Sequence, residues 1–275
     1  MKYKLIAFDL DGTFLTDEKI IPEENLRAIE KAAEKGVYIV PSSGRIFPGL
    51  PKELKEAGFI RYFICGNGAA VYDRQEDRVL AGAQIELDLA LRLVDYLDTL
   101  PVIYDCYQDN MGYMTESMYN VIEEWASTPA MGRYMKSIRR PVPELRKMLE
   151  EKNRPVMKMQ MHFKDLEERK RQLELIPKLF PELIATSSVS NNIEVNNIHA
   201  TKGLGLRALC EHLGIDLSET VAFGDGINDL DMITTAGTGV AMENGEKSLL
   251  DAADMKAPCN NDCGVARVIE QLILK

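Results

Sequence analysis

The stretch KLIAFDLDGTFL, Lys4–Leu15, determines how the chain is interpreted, because its apolar run ends on two carboxylates. Residues Leu5–Phe8 have the length and composition of a buried strand in a parallel sheet. Asp9 and Asp11 follow at its carboxyl end, where open α/β sheets bind ligands. Gly12 permits a sharp turn and a close approach to a ligand. Such a carboxylate pair suits either a hard cation or a division of labour between nucleophile and acid/base.

Two other interpretations of this motif have to be considered. Asp-x-Asp-Gly is also ordinary turn chemistry, and taken alone it fits a plain strand-to-loop turn. An EF-hand loop needs Gly at its sixth position and Glu at its twelfth. Counted from Asp9, those positions hold Phe14 and Ile20, which excludes an EF-hand. The motif therefore indicates a functional site only if other functional residues follow further along the chain.

Length and composition limit the class of protein. The 275 residues allow one large domain or two ordinary ones. A hydrophobic content of 45% and a charged content of 28% are typical of soluble globular proteins. No apolar run approaches the roughly 18 residues of a membrane span. The N-terminus lacks a secretory pattern and the five cysteines are scattered, so we expect a cytoplasmic protein without a membrane partner.

The net charge of −10 argues against nucleic acid as a partner, since such binding depends on a basic surface. A small anionic substrate remains compatible with this charge, because a bound dication reverses the local field. Cys259 and Cys263 are four residues apart, but neither a second cysteine pair nor paired histidines follow. A zinc site is therefore not expected.

The order of apolar patterns predicts a discontinuous architecture. Strand and helix patterns alternate in residues 1–82 and resume near Thr201, which predicts a parallel sheet with helices on both faces. Residues Tyr62–Asp73 are predicted to continue that rhythm. GNGAAV within them is not a dinucleotide fingerprint, because Val71 occupies the place of the third Gly. Hairpin and helix patterns mix in between, so we predict an α/β core of residues 1–82 and 191–275, with an α+β domain inserted at 83–190.

Chemically distinctive residues recur at predicted strand ends and helix starts. They form four groups: Asp9 with Asp11; Ser43 with Gly44; Lys202; and Asp225, Asn228 and Asp229. In a doubly wound sheet all such ends face one crevice. Ser43-Gly44 alone fits an ordinary turn, and so does GDGIND at 224–229, although two carboxylates and an amide exceed what a turn needs.

Lys202 is the most informative of these residues. Thr201 is a predicted N-cap, which places Lys202 in the first helical turn, where the macrodipole disfavours a cation. An anion bound beside Lys202 would make this otherwise unfavourable position part of an anion-binding site. Replacing Lys202 is accordingly expected to leave the stability of the ligand-free protein unchanged or to raise it.

Together the four groups resemble the motifs of the haloacid dehalogenase superfamily of phosphohydrolases. The resemblance is closest to the Cof-like branch, which carries a C2-type (subclass IIB) α+β cap. The matching segments are DLDGT at 9–13, Ser43-Gly44-Arg45, Lys202-Gly203 and GDGIND at 224–229, and ICGNGAAVYD and NDCGVARVIEQL are similar as well. The second motif reads PSSGR where ATGR is commoner, so Ser43 would supply the usual hydroxyl.

The resemblance implies a Rossmann-like core with an inserted cap that acts as a lid, and a Mg²⁺-dependent phosphomonoester hydrolase acting on a small phosphorylated metabolite. Such a metabolite would be a sugar phosphate or a phosphorylated cofactor. Asp9 would be the nucleophile that forms an aspartyl-phosphate, and Asp11 the acid/base. Mg²⁺ would be held by Asp9, the Asp11 carbonyl and Asp225, with Asp229 orienting its waters. The residues implied to cradle the phosphate are Leu10, Ser43, Gly44, Lys202 and Asn228.

Two alternatives remain open at this level. A phosphomutase or phosphotransferase of the same superfamily would carry the same motifs, and so would a non-catalytic phosphate-sensing protein. Asp11 favours an enzyme, because a pure phospho-acceptor needs no acid/base two residues beyond its aspartate. We expect a monomer or a small homo-oligomer.

Overall fold

The computed structural model describes residues 2–126, 128–187 and 189–275. The chain divides into two units, Met1–Gly82 with Ala200–Lys275, and Ala83–His199. We call the first the core unit and the second the inserted unit. Among the described residues, no helix has both the length and the apolar character required to cross a membrane.

Strands and helices alternate along most of the core unit and mix in the inserted unit. The first stretch of the core unit contains β1 Leu5–Phe8, α1 Glu23–Glu34, β2 Tyr38–Pro41, α2 Lys52–Glu56, β3 Tyr62–Cys65, β4 Ala70–Asp73 and β5 Arg78–Ala81. The inserted unit contains α3 Leu87–Leu97, β6 Ile103–Gln108, β7 Met111–Thr115, α4 Glu116–Trp125, α5 Pro129–Ser137, β8 Arg139–Val142, α6 Leu145–Lys152, β9 Lys158–His162, α7 Leu166–Leu179, β10 Leu183–Thr186 and β11 Asn192–Asn197. The core unit resumes with α8 Lys202–Leu213, β12 Thr220–Gly224, α9 Leu230–Thr235, β13 Thr238–Met242, α10 Lys247–Ala252, β14 Met255–Ala257 and α11 Gly264–Ile269, extended by a π-helical turn at Glu270–Leu274.

The centre of the core unit is a five-stranded parallel sheet in the order β14-β13-β12-β1-β2. Strand β1 lies in its interior, and all four of its residues are buried. One face of the sheet packs its apolar side chains against helices α8, α9 and α10, through residues such as Leu206, Met232 and Leu249. The predicted α/β class with a helix-flanked parallel sheet is confirmed.

The stretch from Tyr62 to Asp73 was wrongly predicted to continue the parallel rhythm. It forms β3 and β4, which pair antiparallel with each other and, with β5, make a separate three-stranded sheet. The chain reverses at Gly66–Gly68, where Asn67 has a left-handed backbone (φ 57°). Glycine and asparagine adopt such a turn readily, whereas the apolar residues on both sides suggest one continuous run.

The inserted unit has a six-stranded mixed sheet in the order β10-β11-β9-β6-β7-β8. The apolar face of this sheet packs on α3, α6 and α7, with Tyr104, Met161 and Val195 in the shared core. The other face carries charged side chains that are nevertheless buried: the pairs Asp105–Arg139 and Lys158–Glu194 each have an N–O distance of 2.8 Å. Alternation of apolar and polar residues along each strand separates the two faces.

The inserted unit spans Ala83–His199, whereas the sequence predicts its end at residue 190. Strand β11 accounts for the difference, because it pairs antiparallel with both β9 and β10. Its sequence, NIEVNN, contains few apolar residues, so its hydrophobic pattern does not reveal which sheet it joins. The discontinuous core therefore resumes at Ala200.

Candidate active site

Three adjacent strands of the core sheet end where the motif residues begin. Phe8, the last residue of β1, lies in register with Phe223 of β12 and with Pro41 of β2. Hydrogen bonds continue this pairing one residue further, from the Asp9 amide to Phe223 O and from the Ser42 amide to Phe8 O. The side chains that follow β1, β2 and β12 are thus held at one edge of the sheet.

Asp9, Lys202 and Asp229 form a buried charged triad at this edge. The Lys202 ammonium donates to Asp9 Oδ1 and, at 2.6 Å, to Asp229 Oδ1, and its side chain is fully buried. Helix α8 places it there, since Thr201 is the N-cap and accepts a hydrogen bond from the Leu204 amide. The predicted cap and helix start are confirmed. The two carboxylates compensate the charge that the helix N-terminus disfavours.

Asp225 brings a third carboxylate close to this triad. Oxygen atoms of Asp9, Asp225 and Asp229 all lie within 4.8 Å of one another. Thr13 Oγ1 donates to Asp225 Oδ1 at 2.7 Å. A Cβ atom on Gly12, whose φ is +88°, would lie 2.3 Å from Asp225 Oδ2, so only glycine permits this approach.

The protonation equilibria show how much negative charge is concentrated here. Burial, with the charges of Asp229 and Asp225 added, raises the pKa of Asp9 to about 7, although Lys202 acts in the opposite direction. Burial also raises the pKa of Asp225 to about 6, and Asp229 and Asp11 contribute. A cation would relieve this repulsion, and carboxylate oxygens are the ligands that hard cations such as Mg²⁺ prefer. The residues present therefore fit a divalent metal.

Asp229 is fixed by contacts to both of its oxygens. Oδ1 accepts from Lys202, while Oδ2 accepts from the amides of Asp225 and Gly226, each at 3.0 Å. These bonds hold the loop that carries Asp225 in place. A carboxylate engaged in this way is well suited to orient groups around a metal.

Asp11 lies in a different electrostatic environment. Its carboxylate is clamped by Arg45, with Nη2–Oδ1 at 2.7 Å and Nε–Oδ2 at 3.0 Å, and by Lys19 at 3.0 Å. Burial alone would raise the pKa of Asp11, but the charges and hydrogen bonds of Arg45 and Lys19 outweigh it and lower the pKa below its usual value. The carboxylate is therefore ionised in this conformation.

The remaining predicted residues lie beside these groups. Ser43 is buried after β2, and its Oγ accepts from the Arg45 amide at 3.2 Å, which leaves the hydroxyl proton able to donate elsewhere. Leu10 is buried next to Asp9. Gly44 and Asn228 both approach Asn67: the Asn228 Nδ2–Asn67 Oδ1 distance is 3.3 Å, and a Cβ on Gly44 would lie 3.1 Å from the same oxygen.

Sequence reasoning missed four residues of this region: Thr13, Lys19, Arg45 and Asn67. Arg45 belongs to the second motif, and its place directly after Ser43-Gly44 is a usable signal for a role in the site. Lys19 gave no signal, because its contact with Asp11 depends on a turn with a left-handed backbone at that residue (φ 63°).

A parallel sheet with charged side chains at the carboxyl ends of adjacent strands is an α/β fold with a candidate ligand site at those ends. Comparison with known proteins identifies its family. Residues 6–269 match the family described as haloacid dehalogenase-like hydrolase. The chain belongs to that family.

Several relatives of this chain are named phosphatases. One is the 5-amino-6-(5-phospho-D-ribitylamino)uracil phosphatase YcsE of Bacillus subtilis (strain 168), 31% identical over 98% of this chain and 96% of the relative. A haloacid dehalogenase-like hydrolase from Bacteroides thetaiotaomicron has a similar structure, with a TM-score of 0.83, 25% identity and coverage of 98% and 99% of the two chains. The subclass IIB sugar phosphatase BT4131 shares the fold, with a TM-score of 0.74, 22% identity and 98% coverage of both chains. The chain is a phosphatase, and the recognition of this superfamily from the sequence is confirmed.

Proposed function

We propose that this phosphatase is a Mg²⁺-dependent phosphomonoester hydrolase that works through an aspartyl-phosphate on Asp9. The observation that carries the proposal is the position of Asp9, buried at the end of β1 and paired with Lys202, with Asp225 and Asp229 oxygens within 4.8 Å. The groups proposed to hold the metal are Asp9, the Asp11 carbonyl and Asp225. Bound Mg²⁺ would neutralise these carboxylates and stabilise charge on the transferring phosphoryl group.

The protein's own residues divide the chemistry between two steps. An Asp9 oxygen attacks phosphorus, the bond from phosphorus to the leaving oxygen breaks, and Asp11 gives that oxygen a proton. Water then attacks the same phosphorus and gives a proton to Asp11. The bond between phosphorus and the Asp9 oxygen breaks, which regenerates the Asp9 carboxylate and releases inorganic phosphate. Lys202, the Ser43 hydroxyl, the Leu10 and Gly44 amides and Asn228 are proposed to bind the phosphate oxygens.

Asp11 must change partners during this cycle. Arg45 and Lys19 hold it as a carboxylate, which is the form required to deprotonate water. The acid form, which protonates the leaving group, requires these ion pairs to loosen, since a proton and two cations compete for the same oxygens. Substrate binding close to Arg45 would favour that loosening.

The substrate proposed is a small phosphorylated metabolite. One relative is named for a phosphorylated ribitylamino-uracil and one structural neighbour for sugar phosphates. We assign the choice among such molecules to the inserted unit, which corresponds to the cap that the family resemblance implies. A screen of phosphate release over a panel of sugar phosphates and phosphorylated cofactors identifies the substrate, and isomerised products in place of phosphate would indicate a mutase.

Metal dependence tests the proposal directly. We expect chelation to lower phosphate release by about 10²-fold or more, because the carboxylate cluster then repels the substrate dianion and leaves the phosphoryl charge unstabilised. Adding Mg²⁺ in excess of the chelator should restore it. Full turnover in excess chelator, after the absence of residual metal is verified by elemental analysis, would refute the metal assignment.

The role of Asp11 as an acid predicts dependence on the leaving group. In Asp11→Asn, formation of the phosphoenzyme from an alkyl phosphate should slow by about 10²–10⁴-fold, because the alkoxide leaves without a proton. A nitrophenyl phosphate needs no such proton, so its initial burst of nitrophenolate should persist. Rapid-quench kinetics measure both. Asp17→Asn, an exposed aspartate near the same loop, controls for the loss of charge.

Equal losses for the alkyl and nitrophenyl esters in Asp11→Asn would argue against the acid role. In that case Asp11 would act by holding Arg45 and Lys19, and Arg45→Gln should then reproduce the loss with both esters.

A further inference from the structure

The loop Gly66–Gly68, between β3 and β4, contacts three of the segments proposed to bind phosphate, those that carry Ser43, Lys202 and Asn228. Its Gly66 amide donates to Arg45 O at 3.1 Å, and its Asn67 amide donates to Ser43 O at 3.0 Å. These bonds attach it to the loop that follows β2. In the sequence this loop belongs to ICGNGAAVYD, one of the segments that resemble the Cof-like branch, and it is not a dinucleotide fingerprint.

The same loop packs against the start of helix α8. A Cβ on Gly68, whose φ is +96°, would lie 1.9 Å from Thr201 O, immediately before Lys202. The backbone segments that carry Ser43 and Lys202 are therefore both held by three consecutive residues. The left-handed conformation of Asn67 lets a loop this short make both contacts.

The Asn67 side chain contacts two further proposed phosphate ligands, Asn228 and Gly44. Its Oδ1 accepts a hydrogen bond from Asn228 Nδ2 at 3.3 Å. Its Oδ1 and Nδ2 lie 3.1 and 3.2 Å from where a Cβ on Gly44 would stand, so the carboxamide covers the Gly44 backbone. Asn228 is exposed in the 3₁₀ turn Ile227–Asp229, and this bond restricts the rotation of its side chain.

We infer that Asn67 is a positioning residue of the phosphate site, holding the Asn228 carboxamide beside Gly44 so that both face one phosphate. This inference rests on the proposed function, which places Asn228 and Gly44 against the phosphate oxygens. Such an effect strengthens binding of ground state and transition state alike, so it acts on KM and on product inhibition rather than on kcat.

The test is a double-mutant cycle with Asn67→Gly and Asn228→Ala. Glycine keeps the left-handed backbone and removes only the carboxamide. Each single variant should raise KM, and the inhibition constant of inorganic phosphate, by about 3- to 10-fold, the size of one hydrogen bond, and should change kcat less than KM. The double variant should be no worse than Asn228→Ala alone, because Asn67 acts through Asn228.

Two further variants separate positioning from general damage. Asn153→Gly makes the same substitution at another left-handed asparagine (φ 47°), in the inserted unit, and should leave phosphate inhibition unchanged. Asn67→Asp keeps an acceptor for Asn228 but adds a negative charge beside the phosphate. Its KM should therefore exceed that of the wild type, and added salt should reduce the difference. If Asn67→Gly fails to fold, Asn67→Ser takes its place in the cycle, because serine also lacks the carboxamide that accepts from Asn228.

The possible outcomes test the positioning role of Asn67 separately from the proposed hydrolase function. Additive effects in the cycle, or phosphate inhibition unchanged in Asn67→Gly, overturn the positioning role while leaving the hydrolase intact. An Asn228→Ala enzyme with normal phosphate inhibition removes Asn228 from the proposed phosphate site, and the inference about Asn67 fails with it.

Discussion

Replacing Asp9 by Asn is expected to abolish turnover, by on the order of 10⁴-fold or more, while the protein stays folded. Losses of this size follow removal of a nucleophile that forms a covalent intermediate. The carboxamide keeps the shape of the side chain, but its oxygen cannot form a stable bond to phosphorus. Phosphate release measures the loss, and mass analysis of acid-quenched protein should show a phosphorylated peptide around Asp9 in the wild type and none in the variant.

Stability should move in the opposite direction from activity. The raised pKa of Asp9, about 7, means that the folded protein binds a proton there more tightly than the unfolded chain does. Ionised Asp9 therefore destabilises the metal-free protein at pH values above its unfolded pKa, and Asn removes that penalty. A melting temperature equal to or above that of the wild type at pH 8, measured in chelator, is the expected result.

Asp9→Glu is the matched comparison, since it keeps the charge and moves the oxygen by one methylene. It should also be inactive, because the nucleophile must lie in line with phosphorus in a site with little free space. An Asp9→Asn enzyme with more than about 1% of wild-type turnover, after contamination by wild-type protein is excluded, would show that another group attacks phosphorus.

The sequence predicts that Asp9 and Asp225 lie close together, because each follows a strand and neighbouring parallel strands end at the same edge of the sheet. Leu5–Phe8 and Thr220–Phe223 are apolar runs that end directly on Asp9 and on Gly224-Asp225. Parallel neighbours align such ends, and β1 does lie between β12 and β2. Local chemistry also sufficed for Thr201 as an N-cap, since a cap depends on residues within one turn.

Contacts that depend on a change of chain direction could not be predicted in the same way. The turn at Gly66–Gly68 converts one expected strand into an antiparallel pair, and with it Asn67 reaches Asn228. The clamp on Asp11 joins residues 34 positions apart through Arg45, and no periodicity encodes that distance. Strand β11 joins the inserted sheet through backbone pairing, and its polar side chains do not indicate which sheet it joins.

For Lys202, the structure reverses the expected effect of its removal on the stability of the ligand-free protein. The sequence places it against a helix dipole, so its removal was expected to preserve or raise stability in the ligand-free protein. The structure instead buries its ammonium between Asp9 and Asp229, and both carboxylates raise the pKa of Lys202 above its usual value despite burial. Removing one partner of a buried ion pair costs about 3–5 kcal/mol, far more than the roughly 0.3–1 kcal/mol of the dipole.

Lys202→Met is therefore expected to lower the melting temperature of metal-free protein and to lower kcat/KM by roughly 10³–10⁵-fold, the scale of a cation that stabilises a transferring phosphoryl group. Methionine fills most of the space, so the loss reflects charge and not a cavity. Adding Asp229→Asn to Lys202→Met should recover much of the stability, since one buried carboxylate is neutralised, yet leave the enzyme inactive. Calorimetry and phosphate release on the same samples separate the two effects. Near-normal turnover in Lys202→Met would remove Lys202 from the phosphate site, whatever happened to the melting temperature.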